Sequence, residues 1–418
     1  MSNSIQETAF DEMIKAGNEE RQIVINSGNV DENGSPLCTV ITDGQWSKRS
    51  YKTKYNSFSG AATIRGYDTK KVLLVGIRNR YCSVCERANN LNIDVLTHKC
   101  FLNWNKASTA MEADGIMEGF LNSMSMQGLT FLLLSDGDSS VTKRINEVMP
   151  YGPDFKIKKI ESRNHLLRNY MTKLSALSKR TEYPIIIRNF IINNTLRFRS
   201  DIRKAVRYHL STDLTLQQKT TGFRKDISNA PYHRLGQQDS CASYFCTGPK
   251  VCKINFVPEA EISGFIAEFR NIVYILQINT DSLLEDVDNN PCEQFNSLIN
   301  KHIEGKRINF TQSNNYQTRV HAAIIAPNSG NYIRTINKKI MLKSPRKFAK
   351  KYSNNIDRIR SNTTMRRRKL FAAGMVRSKP KTKSSAPDKD YGLAEPLDDL
   401  FSLSPEAFAE KKRIFKTN

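Results

Sequence analysis

Two aspartates stand where apolar, strand-like runs give way to glycine: Val40-Ile-Thr-Asp43-Gly44 and Leu132-Leu-Leu-Ser-Asp136-Gly137. A strand end is a rigid place from which to aim a carboxylate into a cleft. The glycine that follows lets backbone, metal or substrate come close. Carboxylates delivered by separate elements around one pocket are what two-metal phosphoryl transfer requires. Taken alone, an Asp-Gly pair in such a place is also an ordinary turn. A second kind of chemistry is spelled by Cys82-x2-Cys85-x12-His98-x-Cys100, whose residue types and spacing suit a tetrahedral zinc ion stapling a loop that has no core of its own. His233, Cys241, Cys246 and Cys252 form a weaker set of the same kind. The bland alternative for both is buried thiols. Eight cysteines behind a polar, acidic N-terminus with no apolar h-region read as reduced thiols or metal ligands rather than disulfides.

The elements that must position these residues follow from periodicity and turn signals. Residues 1–35 read as a polar lead-in with one helix, Ile5–Ala16. Strand-like runs cover Leu37–Thr42, Ser59–Gly66 and Lys71–Arg78, the last two joined by a turn at Tyr67–Lys70. A polar, zinc-type insertion occupies 82–104. Helical spacing over Ala110–Ser125 precedes a continuous apolar run, Leu129–Leu134, expected to be a buried strand. A helix capped by Ser139 or Ser140 and ending near Met149, a strand Phe155–Ile160 and a helix His165–Lys179 complete the first part of the core, residues 36–180. The order β-β-β-α-β-α-β-α is that of an RNase H-like mixed sheet, an α/β fold. Residues 181–285 read as a mainly helical insertion. Residues 286–330 return to the core with a helix over Asn290–Gly305, and 331–418 read as a basic, largely disordered tail.

The net charge of +23 and pI of about 9.6 suggest a polyanionic partner, nucleic acid first. The charge is unevenly placed: 18 Lys/Arg against one acid, Asp357, between Arg334 and Lys383 contribute +17 of it. Basic charge therefore marks the setting more than the core. Arg366-Arg-Arg-Lys369 and Lys379-Pro-Lys-Thr-Lys383 can act as nuclear-import signals or DNA tethers. Lys48 and Arg49, shortly after Asp43, and Lys306 and Arg307 are candidate DNA-phosphate contacts, with solvated charged faces as the alternative. No apolar run approaches the ~18 residues of a membrane span.

The wording around the aspartates is more specific. Asp43-Gly-Gln-Trp46-Ser-Lys48-Arg49-Ser-Tyr51, Tyr81-Cys-Ser-Val-Cys85, Asn103-Trp104, Met111-Glu112-Ala-Asp114, Glu118-Gly-Phe120, Asp136-Gly-Asp138-Ser-Ser140, Asn164-His165-Leu-Leu-Arg-Asn169 and Glu304-Gly-Lys-Arg-Ile-Asn-Phe310 occur in one order. Together they resemble the Mutator-like transposase domain, over about residues 8–325. The resemblance implies a DDE-type DNA transposase on an RNase H-like core, using Mg²⁺ or Mn²⁺ in a two-metal site, acting on DNA in the nucleus as a homo-oligomer. It assigns the carboxylates to Asp43, Asp136 and Glu293, the last in Asn289-Asn-Pro-Cys-Glu293-Gln-Phe-Asn296. Asp138 is the rival for the second position. Glu112 and Asp114 fit a structural role as well as a catalytic one. His165 falls in the family's Cys/His pair after the second Asp, but Ser162 stands where the family has cysteine. Gln237 and Gln238 stand where a second-site histidine is usual. Those replacements favour the alternative, a domesticated or decayed, non-catalytic DNA- or chromatin-binding protein.

Overall fold

The computed structural model describes residues 2–47, 57–135, 139–246, 248, 254–304, 310–311, 314–343 and 346–372. The chain forms two compact units, 1–345 and 346–418. The first is built on a five-stranded mixed sheet of order β3-β2-β1-β4-β5. Its strands are β1 (Leu37–Trp46), β2 (Ser59–Gly66), β3 (Val72–Asn79), β4 (Thr130–Ser135) and β5 (Lys158–Ile160). The first three form an antiparallel meander, while β4 joins β1, and β5 joins β4, in parallel.

The helices around the sheet are α1 (Ser2–Asn26), α2 (Ser83–Leu91), α3 (Met111–Gln127), α4 (Ser139–Val148) and α5 (Arg163–Leu177). Next come α6 (Ile185–Leu210), α7 (Leu216–Leu235), α8 (Val257–Ile262), α9 (Phe265–Ile278) and α10 (Thr280–Leu284), then α11 (Asn290–His302), α12 (Asn315–Ser329) and α13 (Tyr332–Met341). A further helix, α14 (Lys347–Ala372), belongs to the second unit. None of the described helices is long and apolar enough to cross a membrane.

Side chains alternate across β1, as the pleat requires. Even positions face α3: Val40 packs in a core with Ala62, Ile64, Ile116, Phe120 and Phe131. Odd positions face the later helices: Ile41 packs with Ile160, Val287 and Cys292, while on β2 Ala61 joins Phe295, Ile299, Val320 and Ile324. On the α3 face the backbone comes very close to the sheet. A Cβ added to Gly76 would lie 2.5 Å from the Gly115 Cα. Glycine at both positions permits that approach.

Three expectations need correction. The opening segment is no lead-in. Ala9, Met13, Ala16 and Val24 recur on one face of a 25-residue helix, α1, and are buried against the core. Residues 332–341 and 347–372 are helical where a disordered tail was expected. Lys347–Ala372 contains neither proline nor glycine, and Lys and Arg are good helix formers. Residues 373–418 lie outside those described. Finally, β1 does not stop at Thr42; it runs through Asp43 to Trp46, because Gly44, Gln45 and Trp46 keep pairing with Ala62, Ala61 and Gly60.

The helices α5–α10 share one continuous core, including Leu167, Phe198, Phe223 and Phe269. This excursion leaves and re-enters the sheet layer at one place. At its head, the Arg163 N–H donates to the Val287 carbonyl at 2.9 Å. The Arg163 guanidinium pairs with Asp286 and, at 3.0 Å, with Asp288. The Asn289 N–H donates to the buried Ser162 hydroxyl at 3.2 Å. These contacts fix where α11 begins.

The Gly76–Gly115 crossing generates a direct prediction. Gly76→Ala should destabilise the fold by about 1–3 kcal/mol, the usual cost of forcing a methyl group into a packed contact. Urea unfolding of the full chain checks it, and an unchanged midpoint would show that the helix moves away freely.

Candidate active site

The last parallel pair of β1 with β4 among the described residues is Ile41 with Ser135, two residues before Asp43. Asp43 itself is paired with Thr63 of β2. The odd-numbered face carries its carboxylate toward α11. Asn289, Glu293 and Asn296, at i, i+4 and i+7, line one face of that helix and its cap. Asn296 donates its amide to Asp43 Oδ2 at 2.8 Å and to the Gly44 carbonyl at 3.3 Å. The Asn289 side chain adds a further hydrogen bond to Asp43. Gly44 N–H donates to Asp43 Oδ1 at 3.0 Å. Further anchors hold α11 to the sheet: Gln45 donates to Asn300 at 2.8 Å, Cys292 donates its S–H to the Ile41 carbonyl at 3.3 Å, and Arg65 donates to the Pro291 carbonyl.

Burial pushes the Asp43 carboxyl up to about 6; the Gly44 N–H pulls it down, the nearby Glu293 charge raises it, and the two asparagines lower it. The geometry thus brings Asp43 and Glu293 into each other's field, as expected of two members of one carboxylate cluster. Glu293 is half exposed and lies 3.6 Å from the Arg168 guanidinium. The side-chain oxygens of Asn289 and Asn296 are buried without a hydrogen-bond partner among the described residues. Repelling carboxylates amid spare oxygen donors suit a hard divalent cation. Asp136 and Asp138 lie outside the described residues, as do Lys48, Arg49, Lys306 and Arg307.

Other candidates fall elsewhere. Asp114 is held by two arginines, Arg78 at 2.8 Å and Arg144 at 2.6 Å, on the α3 side of the sheet. Glu112 is buried against Gly44, where its carboxylate occupies the space a Cβ would need. Gly44 points to the face opposite Asp43, so Glu112 approaches from the other side of the strand. His165, in the first turn of α5, makes no hydrogen bond to Asp43 or Glu293 among the described residues. Ser162 serves as the N-cap position of α5 and binds the backbone ahead of α11.

Two Cys/His groups are assembled. Cys82, Cys85, His98 and Cys100 have their ligand atoms within 4.8 Å of one another. Ligand atoms sharing one tetrahedral zinc lie roughly 3.4–3.8 Å apart. Here Cys82 Sγ is 3.2 Å from His98 Nε2, and Cys85 Sγ is 3.5 Å from Cys100 Sγ. His98 Nδ1 donates to the Leu96 carbonyl at 2.8 Å, which leaves Nε2 free to ligate. Burial works to raise the Cys82 thiol, but the Cys85 and Val84 N–H groups and His98 bring it down to about 7. The loop is closed at its base, where Asn103 accepts the Asn79 N–H at 2.6 Å and donates its own to the Asn79 carbonyl. The second group, His233, Cys241 and Cys246, is likewise within 4.8 Å, with His233 Nδ1 at 3.2 Å from Cys241 Sγ. Cys252 lies outside the described residues, and Gln238 is buried nearby in sequence.

Sequence reasoning gave no role to Asn289 and Asn296, although both belong to the Glu293 motif. Their spacing around Glu293 on a helix was the available signal. The Arg168–Glu293 pair had no comparable signal.

The family model for Mutator-like transposases matches residues 1–246. No curated protein and no solved structure matches the chain.

The Asp43 environment sets a sign for pH dependence. A folded carboxyl ionising near 6, against 3.8 ordinarily, retains a proton that the unfolded chain has lost. Stability therefore falls as pH rises from about 4 to 6 when no divalent ion is present, by on the order of 3 kcal/mol. Asp43→Asn should remove that term. In buffer free of Mg²⁺ and Mn²⁺, the variant should match wild type near pH 4 and exceed it at pH 7 in urea unfolding. A variant less stable than wild type at pH 7 would contradict the buried, crowded carboxylate.

Proposed function

We propose that this chain, which belongs to the Mutator-like transposase family, is a DNA transposase core of the DDE type. The observation that carries the reading is the docking of α11 on β1, where Asn296 donates to Asp43 at 2.8 Å and Glu293 lies close enough for its charge to raise the Asp43 carboxyl, across a helical excursion of more than a hundred residues. Asp136 directly follows Ser135, the last residue of β4, in sequence. Asp43, Asp136 and Glu293 would hold the divalent ions, which when bound supply a stronger attacking oxygen and charge stabilisation for the leaving oxygen. The strand order 3-2-1-4-5, with one antiparallel meander and two parallel additions, supports an RNase H-like core.

The reaction is two in-line phosphoryl transfers. Water attacks phosphorus at the transposon end, a P–O bond to the 3′ oxygen breaks, and a 3′-hydroxyl is released. That hydroxyl then attacks a target phosphodiester, forming a new P–O bond as the target strand's own 3′ oxygen leaves. Asn289 and Asn296 orient Asp43; Arg168 offsets charge on Glu293; burial keeps bulk water from the Asp43 carboxylate. Lys48, Arg49, Lys306 and Arg307 are assigned to DNA phosphates nearby. Homo-oligomeric action and a nuclear location accompany the reading. The Cys/His groups are read as structural zinc sites, the first as a complete Cys₃His set and the second with Cys252 as its fourth ligand.

A second reading, a DNA- or chromatin-binding protein without catalysis, is favoured by Ser162, which is committed to a backbone hydrogen bond where the family carries a metal-type cysteine. Mn²⁺-dependent nicking of supercoiled plasmid separates the two. Wild type should nick; Asp43→Asn and Glu293→Gln should fall to background, and Asn296→Ala should lose roughly 10²-fold through misplacement of Asp43. Nicking that survives Asp43→Asn and Glu293→Gln overturns the triad, and no nicking by wild type favours the binding protein.

Metal content tests the first zinc site. Cys100→Ser should lower bound zinc by one ion per chain and raise hydrogen exchange over 80–103, while β1–β3 stay protected. A zinc-free wild type with a protected loop would contradict it.

A further inference from the structure

Beside the carboxylates, α5 and α6 diverge to leave a cavity of about 850 Å³. Arg163, Arg168, Lys179, Arg199 and Arg203 line it, and it reaches Asn290, three residues before Glu293. A second concavity of about 460 Å³ continues it along α6, lined by Arg199, Arg203, Lys204 and Arg207 among others. Arg199, Arg203 and Arg207 recur every four residues and so form one stripe, ~6 Å between neighbours along the helix axis. The result is a cationic track leading away from Glu293.

Most of this charge has no structural use. Arg163 is taken by Asp286 and Asp288, and Arg168 leans toward Glu293. Lys179, Arg199, Arg203 and Arg207 form no ion pair among the described residues. The Arg199 Nε is buried without a hydrogen-bond partner. Arg203 is held below its ordinary value by burial and then by the charges of Arg163, Arg207 and Arg199. The linings of the two concavities carry no acid, and Asp286 only partly offsets the repulsion at Arg203; like charges so gathered favour a polyanion. The track is too long and open for one small anion. It suits consecutive phosphates of a nucleic-acid backbone, which carries one negative charge per ~1.7 Å of duplex.

We infer that the α5–α6 groove, through Lys179, Arg199, Arg203 and Arg207, binds the phosphate backbone of the DNA that flanks the scissile phosphate. The choice of DNA rests on the transposase reading; the groove's charge does not. It also places a DNA track on α5 and α6, helices of the first unit.

The test is the salt dependence of duplex binding by the full chain, in buffer without divalent ions so that no cleavage occurs. The probe is a 30-base-pair DNA duplex. Each phosphate contact removed should reduce the slope of log K against log salt by about 1. Arg199→Gln/Arg203→Gln should therefore lower the slope by about 2 and weaken binding at least tenfold at low salt. Arg224→Gln/Lys225→Gln, two exposed cations of α7 that do not line the groove, should change it far less. Arg199→Lys/Arg203→Lys preserves charge and should keep the slope; it also serves if the glutamine variant fails to fold. Equal slopes for the groove and α7 variants, or a lysine variant that is folded but loses the slope, overturn the inference. Nicking is scored separately on wild type: its absence with a groove-dependent slope refutes catalysis and leaves the groove standing. Nicking with a groove-independent slope refutes the groove alone.

Discussion

The site depends on how one helix is brought back to one strand. Arg163 and Ser162, at the head of α5, grip residues 286–289 just as the chain returns from its helical excursion. Hydrogen bonds to charged groups contribute ~1.5–3 kcal/mol each, so a two-acid clamp on Arg163 is large compared with the cost of closing a longer loop, which grows only slowly with length. The excursion can therefore be long without loosening α11. With its start fixed, the helix sets Asn289, Glu293 and Asn296 against the odd face of β1. The same face carries Asp43, two residues past the Ile41–Ser135 pair.

That arrangement has a price in the free protein. Asp43 is desolvated and faces Glu293, and the two asparagines only partly offset the repulsion. Their own carbonyl oxygens are buried without a hydrogen-bond partner among the described residues. A site so arranged favours positive charge, which the proposed divalent ion would supply and which the arginines of the α5–α6 groove bring close. The Cys82–Cys100 insertion follows a similar logic to the larger excursion. It leaves β3 and returns through paired Asn79 and Asn103, with its far end gathered by four soft ligands in place of a core.

Much of the sheet was legible because it is local: alternation and the Tyr67–Lys70 turn marked the β2–β3 hairpin to the residue at β2, and the apolar run before Ser135 marked β4. The end of β1 was misjudged because Gly44 reads as a breaker, whereas pairing with β2 carries the strand onward. Glu293 was found through its motif, but the docking of its helix on Asp43, through Asn296, joins residues 253 apart, which periodicity does not encode. The zinc-type cluster was readable because its ligands are close in sequence. The groove was not, since its cations are spread over α5 and α6 with no run, while the conspicuous charge run drew attention to 334–383. That same composition hid α13 and α14: charge argues against a packed core, but not against a helix.

The proposal that Asp43 and Glu293 share a cation is tested most directly by Mn²⁺ titration calorimetry on the full chain. Wild type should bind Mn²⁺, and Asp43→Asn and Glu293→Gln should each weaken binding at least tenfold, with the double variant little worse than the weaker single one, as expected when both carboxylates serve the same ion. Mn²⁺ affinity unchanged in both single variants would contradict a metal site built by docking α11 on β1.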